Sequence, residues 1–279
     1  MSMVLANGLS MHVEQLAPPE PASGARSTAP TAVLIHGLAL DTLASWYLTL
    51  SHPLAAAGFD VVMYDLRGHG RTQRLPEGYA LDDFVDDLAA LLATLDITGP
   101  VHLFGNSFGG TIAFGYAARH PERVATIATI EAMPPTAVWL RLVPRWIGNA
   151  AAYLQREHAL AGSNPGRGER ASRWAKTIGE VLAATTLARD VPASRLPAEE
   201  RIAAIRCPVL CIFGGESAVD EATTDIRRLL PRARIVTVPG QRHSVLVDQP
   251  NNIRDIILPW LREAGGQHCD DHQLARIDH

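Results

Sequence analysis

The sequence predicts an α/β protein, a mostly parallel eight-stranded sheet flanked by helices and carrying a small helical insertion. Three observations predict it. Short apolar runs of strand length alternate with helical stripes along most of the 279 residues. Several of those runs are apolar throughout, which implies burial on both faces and hence parallel pairing. The run Val101–Phe104 breaks at Gly105 and passes through Ser107 straight into a helical stretch, so strand, sharp turn and helix follow one another closely. With 47% apolar residues the chain has material for one large core.

Taken in order, Met3-Val4-Leu5 and Leu9–Val13 predict a hairpin about the turn Ala6-Asn7-Gly8. Residues 17–30 are rich in Pro, Ala, Ser and Gly and read as a surface loop. Thr31–His36 is a buried strand ending in His36-Gly37-Leu38, and Asp41–Ala57 is a helix stopped by Gly58. Phe59–Tyr64 is a strand running out into Asp65-Leu66-Arg67-Gly68-His69-Gly70, where His69 fixes the shape of a glycine-rich turn. Leu81, Phe84, Val85, Leu88, Leu91, Leu92 and Leu95 form a helical stripe. Asp82, Asp83, Asp86 and Asp87 in its first turns read as a solvated face favoured by the helix dipole, not a metal cluster. Val124–Ile130 is a further strand that ends at Glu131.

Between residues 132 and 206 the alternation lapses, and the segment reads as a helical cap inserted into a core of residues 1–131 and 207–264. The alternation resumes with strand Pro208–Phe213, helix Glu221–Leu230, strand Arg234–Val238, a loop holding His243, and helix Ile253–Glu263. Residues 265–279 are polar and expected to fray; His268, Cys269, Asp270 and His272 there read as tail, not as metal ligands.

Charge narrows the partners. With 25 basic and 29 acidic residues the net charge is −4, so phosphate-backbone binding is not expected. No stretch reaches membrane-spanning length, no basic, apolar leader opens the chain, and the three cysteines suit a reducing compartment; a cytoplasmic location is the expectation. No glycine-rich nucleotide fingerprint, P-loop or zinc signature occurs, so no cofactor and no metal are implied. A small-molecule substrate is the expected partner, and no feature of the sequence sets an oligomeric state.

The chemistry centres on Gly105-Asn106-Ser107-Phe108-Gly109. A serine on a tight strand-to-helix turn has its hydroxyl pushed outward, and side chains at Gly105 or Gly109 would collide with the neighbouring backbone. The helix start behind it supplies unpaired N–H groups where an oxyanion would form. A serine is a weak nucleophile without a base, and of the eleven histidines His243 alone lies on the loop after the last strand, where the base is expected. The oxyanion donors expected are the N–H of Phe108 and, from the loop after His36, the N–H of Leu38.

Together Val33-Leu34-Ile35-His36-Gly37, Asp65-x-Arg67-Gly68-His69-Gly70, Gly105-Asn106-Ser107-Phe108-Gly109-Gly110 and Pro239-Gly240-x-x-His243 resemble the α/β-hydrolase superfamily. The resemblance implies the α/β-hydrolase fold, with Ser107 as nucleophile and His243 as base. It also exposes a departure: Ser217 and Ala218 stand where such proteins usually carry an acid after the seventh strand. Glu216, Asp220 and Glu131 are the substitutes. Thr129-Ile130-Glu131-Ala132-Met133-Pro134 resembles the segment of haloalkane dehalogenases that places a Glu after the sixth strand, and this favours Glu131. Dehalogenation itself does not carry over, because those enzymes use an Asp nucleophile.

The cap residues Trp139, Leu140, Leu142, Val143, Trp146 and Ile147 are mostly apolar, so an apolar pocket is expected, with Trp139 and Trp146 as candidate substrate contacts. The expectation is a serine hydrolase acting on a small apolar ester, thioester or lactone through an acyl-enzyme. The alternatives are carbon–carbon bond hydrolysis, a non-hydrolytic lyase or cyclase, and a binding protein on the same fold.

Overall fold

The computed structural model describes residues 2–19, 29–39, 41–148, 179–217 and 220–274. Its eight strands are β1 (Ser2–Ala6), β2 (Leu9–Leu16), β3 (Thr31–Ile35), β4 (Asp60–Tyr64), β5 (Val101–Asn106), β6 (Val124–Ile130), β7 (Val209–Gly214) and β8 (Arg234–Val238). They form one sheet in the order β1-β2-β4-β3-β5-β6-β7-β8. β1 and β2 pair antiparallel through the predicted hairpin, and β2 pairs antiparallel with β4; the six strands from β4 to β8 pair parallel. Asn7 and Gly8 both hold positive φ, 50° and 69°, as a two-residue hairpin turn requires.

Both sheet faces are covered, which is why the central parallel strands are mostly apolar, whereas the edge strand β8 carries exposed Arg234 and Thr237. One face packs against α3 (Leu81–Thr94) and α4 (Phe108–Arg119) through Phe84, Leu88, Ile112 and Phe114. The other packs against α1 (Leu43–Tyr47), α2 (Ser51–Ala56) and the last helix through Trp46, Leu54, Ile253, Ile257 and Trp260.

Three expectations change. The helix expected over Asp41–Ala57 is two short helices, because Pro53 has no N–H to bond back to the carbonyl of Thr49 and cannot extend a continuous helix. The acidic face of α3 is not simply solvated. Asp87 is buried and takes Arg67 in a two-pronged ion pair, Nε to Oδ2 at 2.7 Å and Nη2 to Oδ1 at 2.6 Å. Asp83 accepts from the Ala80 N–H at the helix start, and Asp82 and Asp86 both hold Arg119. The last helix spans Pro250–Leu274, carrying helical backbone into residues assigned by the sequence to a polar tail.

Of the 132–206 insertion, residues 137–148 and 179–184 are helical, followed by the short helices Leu187–Asp190 and Glu199–Ala203; residues 149–178 lie outside the described residues. The chain leaves after β6 and returns as β7, its immediate neighbour in the sheet. Among the described residues no helix is long and apolar enough to cross a membrane.

The register decides where the loops emerge. Ile35 sits opposite Gly105, Asn106 opposite Ile130, Ile130 opposite Ile212, and Gly214 opposite Val238. The carboxyl ends of five parallel strands therefore lie side by side, and everything that follows them faces one crevice.

Candidate active site

Ser107 sits between β5 and α4 with φ 51° and ψ −121°. This is a backbone conformation that non-glycine residues avoid, costing about 1–3 kcal/mol. Close packing holds it there. A Cβ on Gly105 would lie 2.3 Å from Gly110 backbone atoms, and one on Gly109 would lie 2.1 Å from the Ile35 carbonyl oxygen. The Ser107 N–H is anchored to the Ile130 carbonyl at 2.8 Å. Although Ser107 precedes the helix, its side chain makes no capping hydrogen bond. Its Oγ instead lies 3.0 Å from His243 Nε2.

His243 stands on the loop after β8. The turn Gly214-Gly215 at the end of β7 packs under this loop: a Cβ on Gly214 would lie 2.4 Å from the Gln241 carbonyl oxygen, and Glu216 N–H donates to that same oxygen at 2.9 Å. The His243 side chain is 66% exposed, whereas the Glu131 side chain beneath it is 2% exposed. His243 Nδ1 lies 3.2 Å from Glu131 Oε2.

Glu131 is placed by its own backbone. It follows β6 with φ 54°, and its N–H donates to Ile212 O of the adjacent β7 at 2.8 Å. Oε1 accepts from the Gly214 N–H and, at 3.0 Å, from the Ser217 hydroxyl, leaving Oε2 for the imidazole. The other two candidate acids stand elsewhere. Glu216 accepts from Arg242 Nε at 3.1 Å on the exposed surface, and Asp220 opens the helix Asp220–Leu229. The buried carboxylate with two fixed donors and a free oxygen toward Nδ1 is thus Glu131.

Two backbone donors are available nearby. Phe108 begins α4, so its N–H is one of the helix-start groups without an intrahelical acceptor. In the loop after β3, Gly37 N–H donates to Asp41 Oδ2 at 2.7 Å and Ala39 N–H donates to His69 Nε2 at 2.9 Å. Leu38 N–H between them has no acceptor among the described residues.

The aromatic residues divide. Trp139 is 1% exposed and stacks on the Phe108 ring, centroids 6.2 Å apart, while Phe84 meets the same ring edge-on at 5.0 Å. Its burial in the main core cluster with Phe108 fits the cap-packing reading of this residue. Trp146, in contrast, is 43% exposed.

Cys207 and Cys211 are free thiols pushed up to about 12 by burial, hence neutral and no rival nucleophiles. No cluster of three or more metal-ligating side chains occurs among the described residues. Sequence reasoning missed Asp41, Asn106 and Ser217, whose contacts are made across the fold. Asp41 is unremarkable at the head of a helix, and Ser217 reads as the absence of an acid.

An eight-stranded sheet of this order with a strand–serine–helix turn at its centre defines a class, and residues 30–177 match the family described as alpha/beta hydrolase fold. The chain belongs to that family. It is 25% identical over 239 residues to (E)-2-((N-methylformamido)methylene)succinate hydrolase of Acinetobacter baylyi, covering 82% of this chain and 89% of that one. It is 42% identical over 82 residues to a bifunctional esterase/perhydrolase of Acinetobacter calcoaceticus, a match that spans 29% of each chain. Among solved structures it is similar to a carboxylesterase of Nitrososphaera gargenis, with TM-score 0.72 and 24% identity over 94% of this chain and 97% of that one. The enol-lactonase of Burkholderia xenovorans is similar too, at TM-score 0.68 and 22% identity over 94% and 100%.

Proposed function

We propose that the protein is a serine hydrolase that cleaves a small apolar ester, thioester or lactone through an acyl-enzyme. The observation that carries this reading is the continuous chain from Ser107 Oγ to His243 Nε2 at 3.0 Å and from His243 Nδ1 to Glu131 Oε2 at 3.2 Å. In the first step the Ser107 oxygen attacks the substrate carbonyl carbon and its proton passes to His243 Nε2. Glu131 accepts the Nδ1–H, holding the ring in the tautomer whose Nε2 is free and stabilising the imidazolium that forms. The carbonyl oxygen, now negative, is held by the amides of Leu38 and Phe108. His243 returns the proton to the departing alcohol, thiol or lactone oxygen, and a water activated by the same imidazole releases the acid.

The backbone strain at Ser107 supports turnover over simple binding, since a binding pocket gains nothing from an outward serine held at φ 51°. The curated relatives above carry esterase and hydrolase names, in keeping with acyl transfer. We assign the 132–206 insertion as the cap over the crevice, with Trp146 as its aromatic contact for substrate.

Incubation with a fluorophosphonate and turnover of p-nitrophenyl butyrate test the reading together. Phosphonylation mapped to Ser107, with hydrolysis abolished in Ser107→Ala, is the expected result. A folded wild-type protein silent in both assays overturns it.

A further inference from the structure

The amides of Gly37, Leu38 and Ala39 are consecutive, and among the described residues only the middle one has no acceptor. Asp41 captures the first and His69 the third, at 2.7 and 2.9 Å. Asp41 also reaches across the crevice: the same Oδ2 accepts from Asn106 Nδ2 at 2.9 Å, and Asn106 immediately precedes Ser107. Its Oδ1 takes the Thr42 N–H at 2.9 Å, which fixes the carboxylate plane. His69 Nδ1 lies 2.8 Å from the Arg67 carbonyl oxygen and donates to it, so Nε2 keeps the lone pair that Ala39 N–H requires. Ala39 itself holds a left-handed φ of 70°, which turns the chain immediately after the N–H that His69 holds.

These contacts join two parts of the chain that must be in register for one task. The Leu38 amide comes from the loop after β3, and the Phe108 amide comes from the turn after β5. An oxyanion hole needs both aimed at one point before the reaction starts, because its advantage lies in preorganisation. A loop held only at its ends would let the Leu38 peptide rotate. A clamp on each side stops it.

We propose that Asp41 and His69 are positioning residues of the oxyanion hole, dedicating the Leu38 amide to the transition state by occupying its neighbours and tying its loop to Asn106. The proposal rests on the acyl-transfer reading of Ser107. Neither side chain touches substrate; each acts through backbone it holds.

A purely structural brace and a positioning residue differ in what they move. Asp41→Ala, Asp41→Asn, His69→Leu and His69→Gln are compared with wild type for kcat and KM on p-nitrophenyl butyrate, for inhibition by butaneboronic acid, and for melting temperature. The boronate forms a tetrahedral adduct whose oxygen occupies the hole, whereas KM follows ground-state binding where substrate release is fast and acylation limits the rate. Asp41→Ala is expected to lower kcat by about a hundredfold with little change in KM, and to weaken the boronate in proportion. Asp41→Asn keeps one carbonyl oxygen as acceptor, His69→Gln puts an amide oxygen in place of Nε2, and both should recover about tenfold over their apolar counterparts. A folded Asp41→Ala protein with wild-type kcat and boronate affinity overturns the proposal. If that variant does not fold, Asp41→Asn and His69→Leu decide it on the same two measures. A wild type that neither turns over ester nor reacts with fluorophosphonate removes the underlying reading and the proposal with it; an active wild type with unaffected variants removes the proposal alone.

Discussion

Ser217 donates its hydroxyl to Glu131 Oε1 at 3.0 Å. The residue standing at the end of β7, where an acid is usual, therefore serves the carboxylate at the end of β6. Read along the chain, Ser217 is a gap in a motif; in space it is a second-strand support that holds one Glu131 oxygen so that the other faces His243.

Removing the Glu131 charge should be costly. Glu131→Gln keeps size but presents an amide to Nδ1, and kcat for p-nitrophenyl butyrate is expected to fall by about 10³-fold or more, as when a triad acid loses its role in fixing the tautomer. Glu216→Gln only breaks an exposed pair with Arg242 and should leave kcat within about twofold of wild type. Equal, small losses in the two variants would take Glu131 out of the role.

Ser217 offers a complementary experiment. Ser217→Ala removes one of two donors to Glu131 Oε1 and is expected to reduce kcat by about three- to tenfold, the loss of one hydrogen bond to a charged group. In the Glu131→Gln background, Ser217→Asp returns a carboxylate beside the imidazole and should restore at least part of the lost kcat. No gain from the second substitution would show that β7 cannot supply the acid in this chain.

Stability should depend on pH through His69. Burial, and then the nearby His36 ring at 5.4 Å, hold its imidazole down to about 4 from an ordinary 6.5; the Arg67 carbonyl, Asp41 and Asp65 pull the other way. Above pH 6.5 the ring is neutral folded and unfolded, and the stabilisation is fully present. As pH falls from 6.5 toward 4 only the unfolded chain takes up the proton, so stability is lost across that window, on the order of 3 kcal/mol in total. Urea denaturation between pH 7 and 4 should show a shallower loss for His69→Gln than for wild type; parallel curves would contradict it.

Two glycines separate backbone crowding from simple flexibility. Gly109→Ala drives a Cβ into the Ile35 and His36 carbonyl oxygens, at 2.1 and 2.6 Å, with only main chain to yield. Gly99 has nothing within 4 Å of the same added atom. Thermal melts should show Gly99→Ala within about 0.5 kcal/mol of wild type and Gly109→Ala destabilised by about 3 kcal/mol or more.

The buried pair Arg67–Asp87 gives a prediction away from the chemistry. Asp87→Ala takes the close carboxylate from the buried Arg67 guanidinium, leaving Asp83 at 3.6 Å and the Phe84 ring, and removes the acceptor of the Asn7 amide; it should destabilise the fold by about 3–5 kcal/mol. Arg67→Met with Asp87→Leu should recover much of that loss, because two apolar groups leave no unpaired charge. Chemical denaturation of the single and double variants measures the difference.

Much of this protein is written locally. The central strands are mostly apolar because both sheet faces are covered, the hairpin turn is Asn-Gly, and Gly105 and Gly109 flank Ser107 because backbone passes within 2.6 Å of where their side chains would be. Each leaves its mark in the local residue pattern, and that pattern was enough to read the sheet and the strand–turn–helix about Ser107. The split of the Asp41–Ala57 helix was legible in principle too, since Pro53 announces it.

What sequence left open was which groups meet. A resemblance of the 129–134 segment favours Glu131 over Glu216 and Asp220, but it is the pairing of β6 with β7, the left-handed backbone at Glu131 and the capture of Glu216 by Arg242 that bring Glu131 to His243. Asp87 became a buried partner because Arg67, twenty residues earlier, folds onto it. Composition and periodicity report how each residue relates to water and to its own helix or strand. A carboxylate's job depends on which distant donor reaches it first, and that is settled only when the strands take their places in the sheet.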